Sequence, residues 1–252
     1  MAGTSRRDRA RRATLAEIRE AVRRLLVAQG STAVTINAVA RELGMSGPAL
    51  YHYFAGRDEL VGAVTADFFA ELTAAMEAAR DACADDPPGR RLLAAARAMR
   101  RWAIAHPAEF QWIFASPLAE PGKEPPSRRV AAGRRFERVF LDLTVELWKA
   151  RRFPVPDPAD LAPSLLEQLR RYCTAIDEVL PPEAAHVMLT CWTRLYGLLC
   201  MEVLHQLDFA YSDMEPVFEE CLREISARLG VDYSPPEPVR RRPPAPASDQ
   251  DV

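Results

Sequence analysis

Residues 35–57, TINAVARELGMSGPALYHYFAGR, limit the possible folds more than any other part of the chain. Apolar residues recur there at i, i+3, i+4 and i+7, which indicates the buried face of a helix: Ile36, Val39, Ala40 and Leu43. Thr35 can cap the start of this helix, and Gly44 can take the left-handed conformation that ends it. Ser46 and Pro48 then mark the start of a second helix. The pattern therefore predicts two short helices joined by a turn of about three residues.

Apolar stripes before and after this stretch extend the helical prediction. The earlier stripe closes at Gly30 and contains Leu15, Ile18, Val22, Leu25 and Leu26. The later stripe keeps a helical period for roughly five turns and contains Leu60, Val61, Val64, Phe68, Leu72 and Met76. Leu50 and Phe54, four residues apart, would hold the second short helix against the first. We therefore predict a three-helix unit followed by a fourth helix, which is long enough to leave this unit and extend into the next part of the fold.

The distribution of charge along the chain favours a nucleic-acid partner for this unit. Residues 1–60 contain ten arginines against six acidic residues, a net charge of +4, whereas the whole chain carries −2. Five arginines precede the predicted first helix: Arg6, Arg7, Arg9, Arg11 and Arg12. A basic arm over residues 1–13 could follow phosphates or enter a minor groove. The alternative is a disordered, solvated start with no specific partner.

Residues 14–66 resemble the DNA-binding domain of the TetR family of bacterial transcriptional regulators. The resemblance rests on LGMSGPALYHYFAGRDEL, residues 43–60, with the core L-G-x-S-x-x-x-L-Y-x-x-F. A basic residue follows three positions after the Phe, and a Leu three positions later. Arg57 stands where the family usually has Lys, and it remains a cation able to meet a phosphate.

The resemblance implies roles for individual residues. Four residues would face base edges: Gly47, Pro48, Ala49 and His52. Four would contact phosphates: Thr35, Tyr51, Tyr53 and Arg57. Among the base-facing residues only His52 can hydrogen-bond through its side chain, so Pro48 and Ala49 would read shape and thymine methyl groups. For both tyrosines the alternative is packing within the small domain.

The rest of the chain shows only helical patterns, so the predicted fold class is all-α. Proline-rich breaks separate three predicted helices. The first begins at Pro87-Pro88, the second follows a loop at 116–126 and runs to about Arg151, and the third spans about 161–179. A break at His106-Pro107 precedes a short apolar segment. The predicted division is a basic disordered arm at 1–13, a helix-turn-helix DNA-binding domain at 14–58, a helical ligand-binding and dimerisation domain at 59–232, and a disordered Pro/Arg-rich tail at 233–252.

The last two helices, near 182–208 and 213–229, predict a dimer. Apolar residues surround almost the whole of the first, so it must be covered on more than one side. A membrane span is the alternative, but Arg194 and Glu202 argue against it. Two such pairs, one from each subunit, would form a four-helix interface, as in TetR-like proteins. A dimer would place two recognition helices about one DNA turn apart, over a palindromic operator.

The C-terminal half resembles a sub-type of the family that carries a W-x-x-x-H-G signature. Trp192 and Gly197 match that signature, and Tyr196 replaces its His. The family implies a small-molecule pocket, and the candidate lining residues are Trp102, Phe110, Trp112, Phe114, Phe140, Trp148, Cys173, Trp192 and Tyr196. Aromatic residues at helical spacing are more often plain core, which is the alternative for each. Ligand binding would spread the recognition helices and release the operator.

No catalytic, metal or cofactor motif is visible in the sequence. Five scattered cysteines without a C-x-x-C pair predict reduced core residues, with a redox sensor as the alternative. The start of the chain lacks an apolar signal segment, which predicts a cytoplasmic protein, associated with the nucleoid when bound to DNA. We therefore expect a ligand-released repressor, and not an enzyme. The alternatives are an enzyme or a protein-binding adaptor that carries a helix-turn-helix-like fold without regulated operator binding.

Overall fold

The computed structural model describes residues 6–114 and 127–236, where all regular structure is helical. Ten α-helices follow one another in these ranges: α1 (Arg6–Gln29), α2 (Ile36–Glu42), α3 (Gly47–Tyr51), α4 (Arg57–Asp81), α5 (Pro88–Ala105), α6 (Pro107–Phe114), α7 (Arg128–Ala150), α8 (Pro163–Ala175), α9 (Pro182–Val203) and α10 (Glu215–Arg228). The predicted all-α class is confirmed.

The first three helices form a small unit whose local structure follows the predicted caps. The Thr35 hydroxyl accepts a hydrogen bond from the Ala38 N–H at 3.1 Å, and the Ser46 hydroxyl accepts one from the Ala49 N–H at 3.3 Å. Gly44 has φ +65°, the left-handed conformation that ends α2 without a steric penalty. The two capping hydrogen bonds and the left-handed Gly44 therefore fix the backbone of the turn between α2 and α3.

α4 belongs to both halves of the molecule. It begins directly after the recognition unit, has 25 residues and packs against α5 and α7. Its buried side chains include Leu60 at one end and Met76 at the other. One hydrophobic cluster runs from Ile18 in α1 to Leu229 after α10. The core is thus continuous across the predicted domain boundary at residue 58.

The predicted disordered arm is wrong for residues 6–13, which form the first two turns of α1. Arg and Ala both have high helix propensity, and Asp8 places a carboxylate in the first turn, where the helix dipole favours it. The apolar stripe marked only the part of the helix that touches the core. Helical structure continues outward from that part into residues that periodicity does not detect.

The C-terminal boundary also lies later than predicted, because residues 233–236 are not a free tail. The Tyr233 hydroxyl donates to Glu219 at 2.7 Å, and Arg97 donates to the Ser234 carbonyl at 2.6 Å. Burial would raise the pKa of Glu219, but hydrogen bonds from Arg97 and Tyr233 outweigh it and hold the pKa below its ordinary value. The predicted loop at 116–126 and the rest of the tail, 237–252, lie outside the described residues.

The helices near the predicted interface are shorter than the sequence suggested. α8 ends at Ala175 instead of 179, because Asp177 and Glu178 take left-handed backbone conformations. α9 ends at Val203, and His205 is left-handed in the turns that follow. Within residues 6–114 and 127–236, no helix is long and apolar enough to cross a membrane.

Candidate nucleic-acid interface

The predicted base-facing residues lie in α3 and at its C-cap, His52. Pro48 and His52 are exposed, and Tyr51 leaves 54% of its surface open to solvent. Gly47 and Ala49 are half-buried, so less of them can be reached from outside. These residues therefore lie within one short helix and its C-cap, and their contacts with bases remain a prediction.

The inner side of α3 is fixed by close packing. Leu50 and Phe54 are buried against the unit's core, as their spacing predicts. A Cβ added at Gly47 would lie 3.3 Å from the Asn37 side-chain oxygen, so glycine allows α2 and α3 to approach closely. This packing sets the direction in which the exposed side of α3 points.

The predicted phosphate-binding residues surround α3 but differ in their surroundings. Thr35 is exposed at the start of α2, where its hydroxyl serves as the cap. Arg57 opens α4, and its Nε donates to the Val34 carbonyl at 3.3 Å. A guanidinium has five N–H donors, so this bond orients the side chain and leaves further donors for a phosphate. Tyr51 is the exposed member of the tyrosine pair.

Tyr53 follows the packing alternative more closely than the phosphate prediction. It is half-buried and packs against the core, and the Arg11 guanidinium lies 5.6 Å from its ring centroid. This contact joins the first turns of α1 to the end of the recognition unit. The role of Tyr53 toward a phosphate stays a prediction.

Ion pairs join α1 to the helices of the C-terminal half. Arg19 pairs with Asp67 of α4 at 3.3 Å. Arg23 pairs with Glu71 of α4 at 2.6 Å and with Glu109 of α6 at 2.9 Å. Burial raises the pKa of Asp67, and the charge and hydrogen bond of Arg19 offset only part of that rise. These ion pairs therefore attach the recognition unit to the C-terminal half, in addition to its covalent connection through α4.

Sequence reasoning found none of these ion pairs, and Glu109 is the most deeply buried residue among them. Its side chain is only 4% exposed, and a carboxylate that deeply buried is stable only with a cationic partner. Glu109 directly precedes the apolar segment from Phe110 to Phe114, and this position could have indicated that its side chain is buried. Its partner on α1 is 86 positions earlier in the chain, and nothing in the local sequence points to it.

The predicted pocket residues fall into separate groups. Five of them belong to one aromatic cluster that also includes Phe69 and Phe136: Phe110, Phe114, Phe140, Trp192 and Tyr196. Trp192 and Tyr196 stack at 5.4 Å, and the Tyr196 hydroxyl donates to the Phe114 carbonyl at 3.1 Å. Burial raises the pKa of Tyr196. The hydroxyl therefore stays protonated and links α9 to the end of α6.

The other candidates lie apart from that cluster's centre. Trp102 stacks on His106, Trp148 packs on Phe153, and Cys173 is buried on α8. The indole N–H of Trp112 donates to the Thr65 hydroxyl of α4 at 2.9 Å. The three tryptophans have defined structural partners and Cys173 is buried, which agrees with the core alternative for these four residues.

A small apolar cavity of about 40 Å³ lies beside the aromatic cluster, between α5, α7, α9 and α10. Of the predicted pocket residues, only Phe140 and Trp192 line it. Cys191 also lines it, and burial raises the pKa of that thiol to about 11, so the thiol is protonated at neutral pH. The cavity could hold a small uncharged group. Among the described residues no cluster of His, Cys, Asp and Glu could hold a metal ion.

A short, capped helix exposed across a glycine turn from its packing partner defines a helix-turn-helix DNA-binding domain. Residues 18–64 match the family model for bacterial regulatory proteins of the tetR family. Residues 92–225, more than half of the chain, match the model for the tetracyclin repressor-like C-terminal domain. The chain therefore belongs to the TetR family.

The similar curated proteins are transcriptional regulators, and the similar solved structures share the fold. The chain is 36% identical over 138 residues to the HTH-type transcriptional regulators Rv1816 of Mycobacterium tuberculosis and Mb1846 of Mycobacterium bovis. That match covers 54% of this chain and 58% of each relative, so it spans little more than half of their length. The crystal structure of the regulatory protein SCO4313 is 28% identical, with a TM-score of 0.69 over 89% of this chain and all of the other. PfmR of Thermus thermophilus, at 17% identity and a TM-score of 0.50, covers 85% of this chain and 97% of its own and shares the fold.

Proposed function

We propose that the protein is a transcriptional repressor that binds a palindromic operator as a homodimer and is released by a small-molecule ligand. The observation that carries the DNA-binding part is the exposed outer side of α3, with Tyr51, His52 and Pro48 open to solvent beside Arg57. Buried packing of Leu50 and Phe54 fixes the helix behind them. A preorganised recognition helix loses little entropy on binding.

Affinity for the DNA backbone and preference for a base sequence would come from different residues. Tyr51 and Arg57 can donate to phosphates, which position the protein but carry no sequence information. His52 is the one base-facing side chain with a hydrogen-bonding group, so it would discriminate at one base pair. The remaining preference would come from methyl contacts, DNA shape and the spacing of two half-sites.

The outer faces of α9 and α10 are the proposed dimer interface. Met201 and Leu204 are large apolar side chains with 40% and 38% of their surface exposed, and they share a helical face with Gly197. A Cβ added at Gly197 would meet nothing within 4 Å, so a neighbouring helix could approach closely there. The apolar stripe of α10 is already used inside the subunit, where Phe218 and Leu222 are buried. α10 would therefore contribute mainly its polar outer residues.

The cavity beside the aromatic cluster is the proposed ligand site. Its lining is almost entirely apolar, which favours a small uncharged ligand over an anion or a cation. Tyr196 joins this region to α6, and α6 contacts α1 through Glu109. A ligand regulates only if it binds the DNA-competent and DNA-incompetent arrangements with different affinity.

Fluorescence anisotropy against upstream-region DNA and random DNA, across a salt series, tests the proposal. A specific operator should keep a large affinity ratio at physiological salt, whereas nonspecific attraction should collapse. The adaptor and enzyme alternatives both predict no such ratio. Adding candidate apolar ligands to the preformed complex should release the DNA if the cavity regulates binding.

Matched variants separate the two kinds of DNA contact. Tyr51→Ala and Arg57→Gln should weaken binding to all sequences, whereas His52→Ala should mainly change preference at one position. Tyr211→Ala and Arg171→Gln remove the same chemical groups from exposed places in the C-terminal half. If Tyr51→Ala and Arg57→Gln bind as well as these controls, the assignment of α3 fails.

A further inference from the structure

The first two turns of α1 form a strongly basic surface, here called the basic extension (residues 6–13). Its five arginines and one aspartate are all exposed. Burial of α1 against the core begins with the half-buried Thr14 and Leu15 and is complete at Ile18. The extension therefore projects beyond the packed part of the helix by about 12 Å, at a rise of about 1.5 Å per residue.

The basic extension lies beside the recognition helix. Arg11 of the extension lies over the ring of Tyr53, which comes two residues after the end of α3 and packs against the core. The extension is also continuous with the rest of α1, whose Ile18 and Val22 are buried. Its arginines are thus held near the predicted DNA-facing side by a helix and by a ring contact.

The charge of the basic extension works against the stability of its own helix. Cations near a helix N-terminus oppose the macrodipole, and only Asp8 in the first turn favours it. Five guanidinium groups within seven residues also repel one another. An anionic surface would relieve both effects, and DNA places a negative charge at about every 1.7 Å of its axis.

We infer that the basic extension binds the phosphate backbone of DNA next to the groove that α3 enters. The inference rests on the proposed DNA-binding function and adds a second contact surface to it. An α-helix with side chains is about 10–12 Å across, whereas the minor groove is about 6 Å wide. The extension therefore binds along the outside of the duplex and does not thread the minor groove as an extended arm could. Its contacts add affinity without reading sequence.

Replacing three of these arginines, R6Q/R9Q/R12Q, tests the inference in the full chain. Arg7 and Arg11 stay, so the contact with Tyr53 is preserved. The matched control R138Q/R170Q/R171Q removes the same charge from exposed positions on α7 and α8. Operator and random DNA are titrated for each protein between about 50 and 200 mM salt, the range in which phosphate contacts change affinity most.

The slope of log K against log salt is negative, and the triple variant should reduce its magnitude by about 0.9 for each phosphate that is no longer neutralised. Affinity for operator and random DNA should fall by the same factor, and their ratio should stay at the wild-type value. The control variant should keep the wild-type slope. Circular dichroism and thermal unfolding should show no loss of helix or of stability in either triple variant relative to the wild type, which excludes a folding defect as the cause.

Two results would overturn the inference. A wild-type slope in R6Q/R9Q/R12Q, or the same drop in the control, would show that the extension makes no local phosphate contact. A changed operator-to-random ratio would show that the arginines read sequence. Failure of the proposed function has a different signature, because the wild-type protein itself would then show no preference for any upstream DNA.

Discussion

Glu109 shows how one side chain can tie two parts of the molecule together. Its carboxylate is almost fully buried at the start of α6 and meets Arg23 of α1 at 2.9 Å. Arg23 also pairs with Glu71 and lies 5.1 Å from the ring of Phe68, both on α4. A change in the position of α6 must therefore either carry α1 with it or break a buried ion pair.

Glu109→Gln should lower the free energy of unfolding by about 1–3 kcal/mol. Removing one partner of a fully buried pair costs about 3–5 kcal/mol, and the partial exposure of Arg23 reduces that figure. Urea unfolding monitored by circular dichroism measures the change. Glu167→Gln removes a carboxylate from an exposed pair on α8 and should cost about 0.5 kcal/mol or less. Equal losses in the two variants would show that the Glu109 pair adds nothing to stability.

At the scale of elements, the turn between α2 and α3 depends on backbone chemistry more than on buried area. Gly44 is left-handed, Thr35 and Ser46 cap the two helices, and Gly47 permits their close approach. α3 has only five residues, so it could not persist alone. Its shape comes from its caps and from Leu50 on its inner side.

Gly44→Ala should destabilise the protein by about 1–2 kcal/mol, because the left-handed conformation costs an L-residue that much. Gly62→Ala is the matched control. Gly62 lies inside α4, and an added Cβ would meet nothing within 4 Å. That substitution should stabilise by about 0.5–1 kcal/mol. Thermal unfolding of both variants should give shifts of opposite sign, and shifts of the same sign would contradict the role assigned to Gly44.

The helices and caps could be predicted because they depend on nearby residues. Thr35, Gly44 and Ser46 act within four positions of themselves, and apolar periodicity located the buried part of α1. The helical course of residues 6–13 was missed, because exposed arginines leave no apolar pattern. Which aromatic residues meet, and which carboxylate pairs with Arg23, depends on packing between distant helices, and no local pattern contains that information.

At the scale of the whole molecule, the exposed apolar side chains on and after α9 make a prediction about assembly. The variant M201E/L204E should sediment as a monomer at micromolar concentration, because it would bury two charges in the proposed interface. Val27→Glu places a charge at an exposed apolar residue of α1, outside the proposed interface, and should leave the assembly unchanged. A monomer, with one recognition helix, should also bind a single half-site more weakly than the dimer binds a palindrome.

A dimer that survives M201E/L204E would place the interface elsewhere. The two subunits, and with them their two DNA-facing sides, would then be related by a different two-fold axis. The spacing of half-sites on DNA, about 34–36 Å for sites one turn apart, gives a second check on any such arrangement. The sedimentation of M201E/L204E and the half-site spacing together test whether the dimer in solution fits the geometry of the operator.

The continuity of α4 limits how this protein could be recombined with its relatives. A chimera joined at residue 58 would replace α4 together with the C-terminal half, so Arg19 and Arg23 of α1 would lose their partners Asp67 and Glu71. It would also separate Arg23 from Glu109. An exchange of signal specificity between family members should therefore move α4, α6 and the inward face of α1 as one block, leaving only the outer side of α3 as a freely exchangeable part.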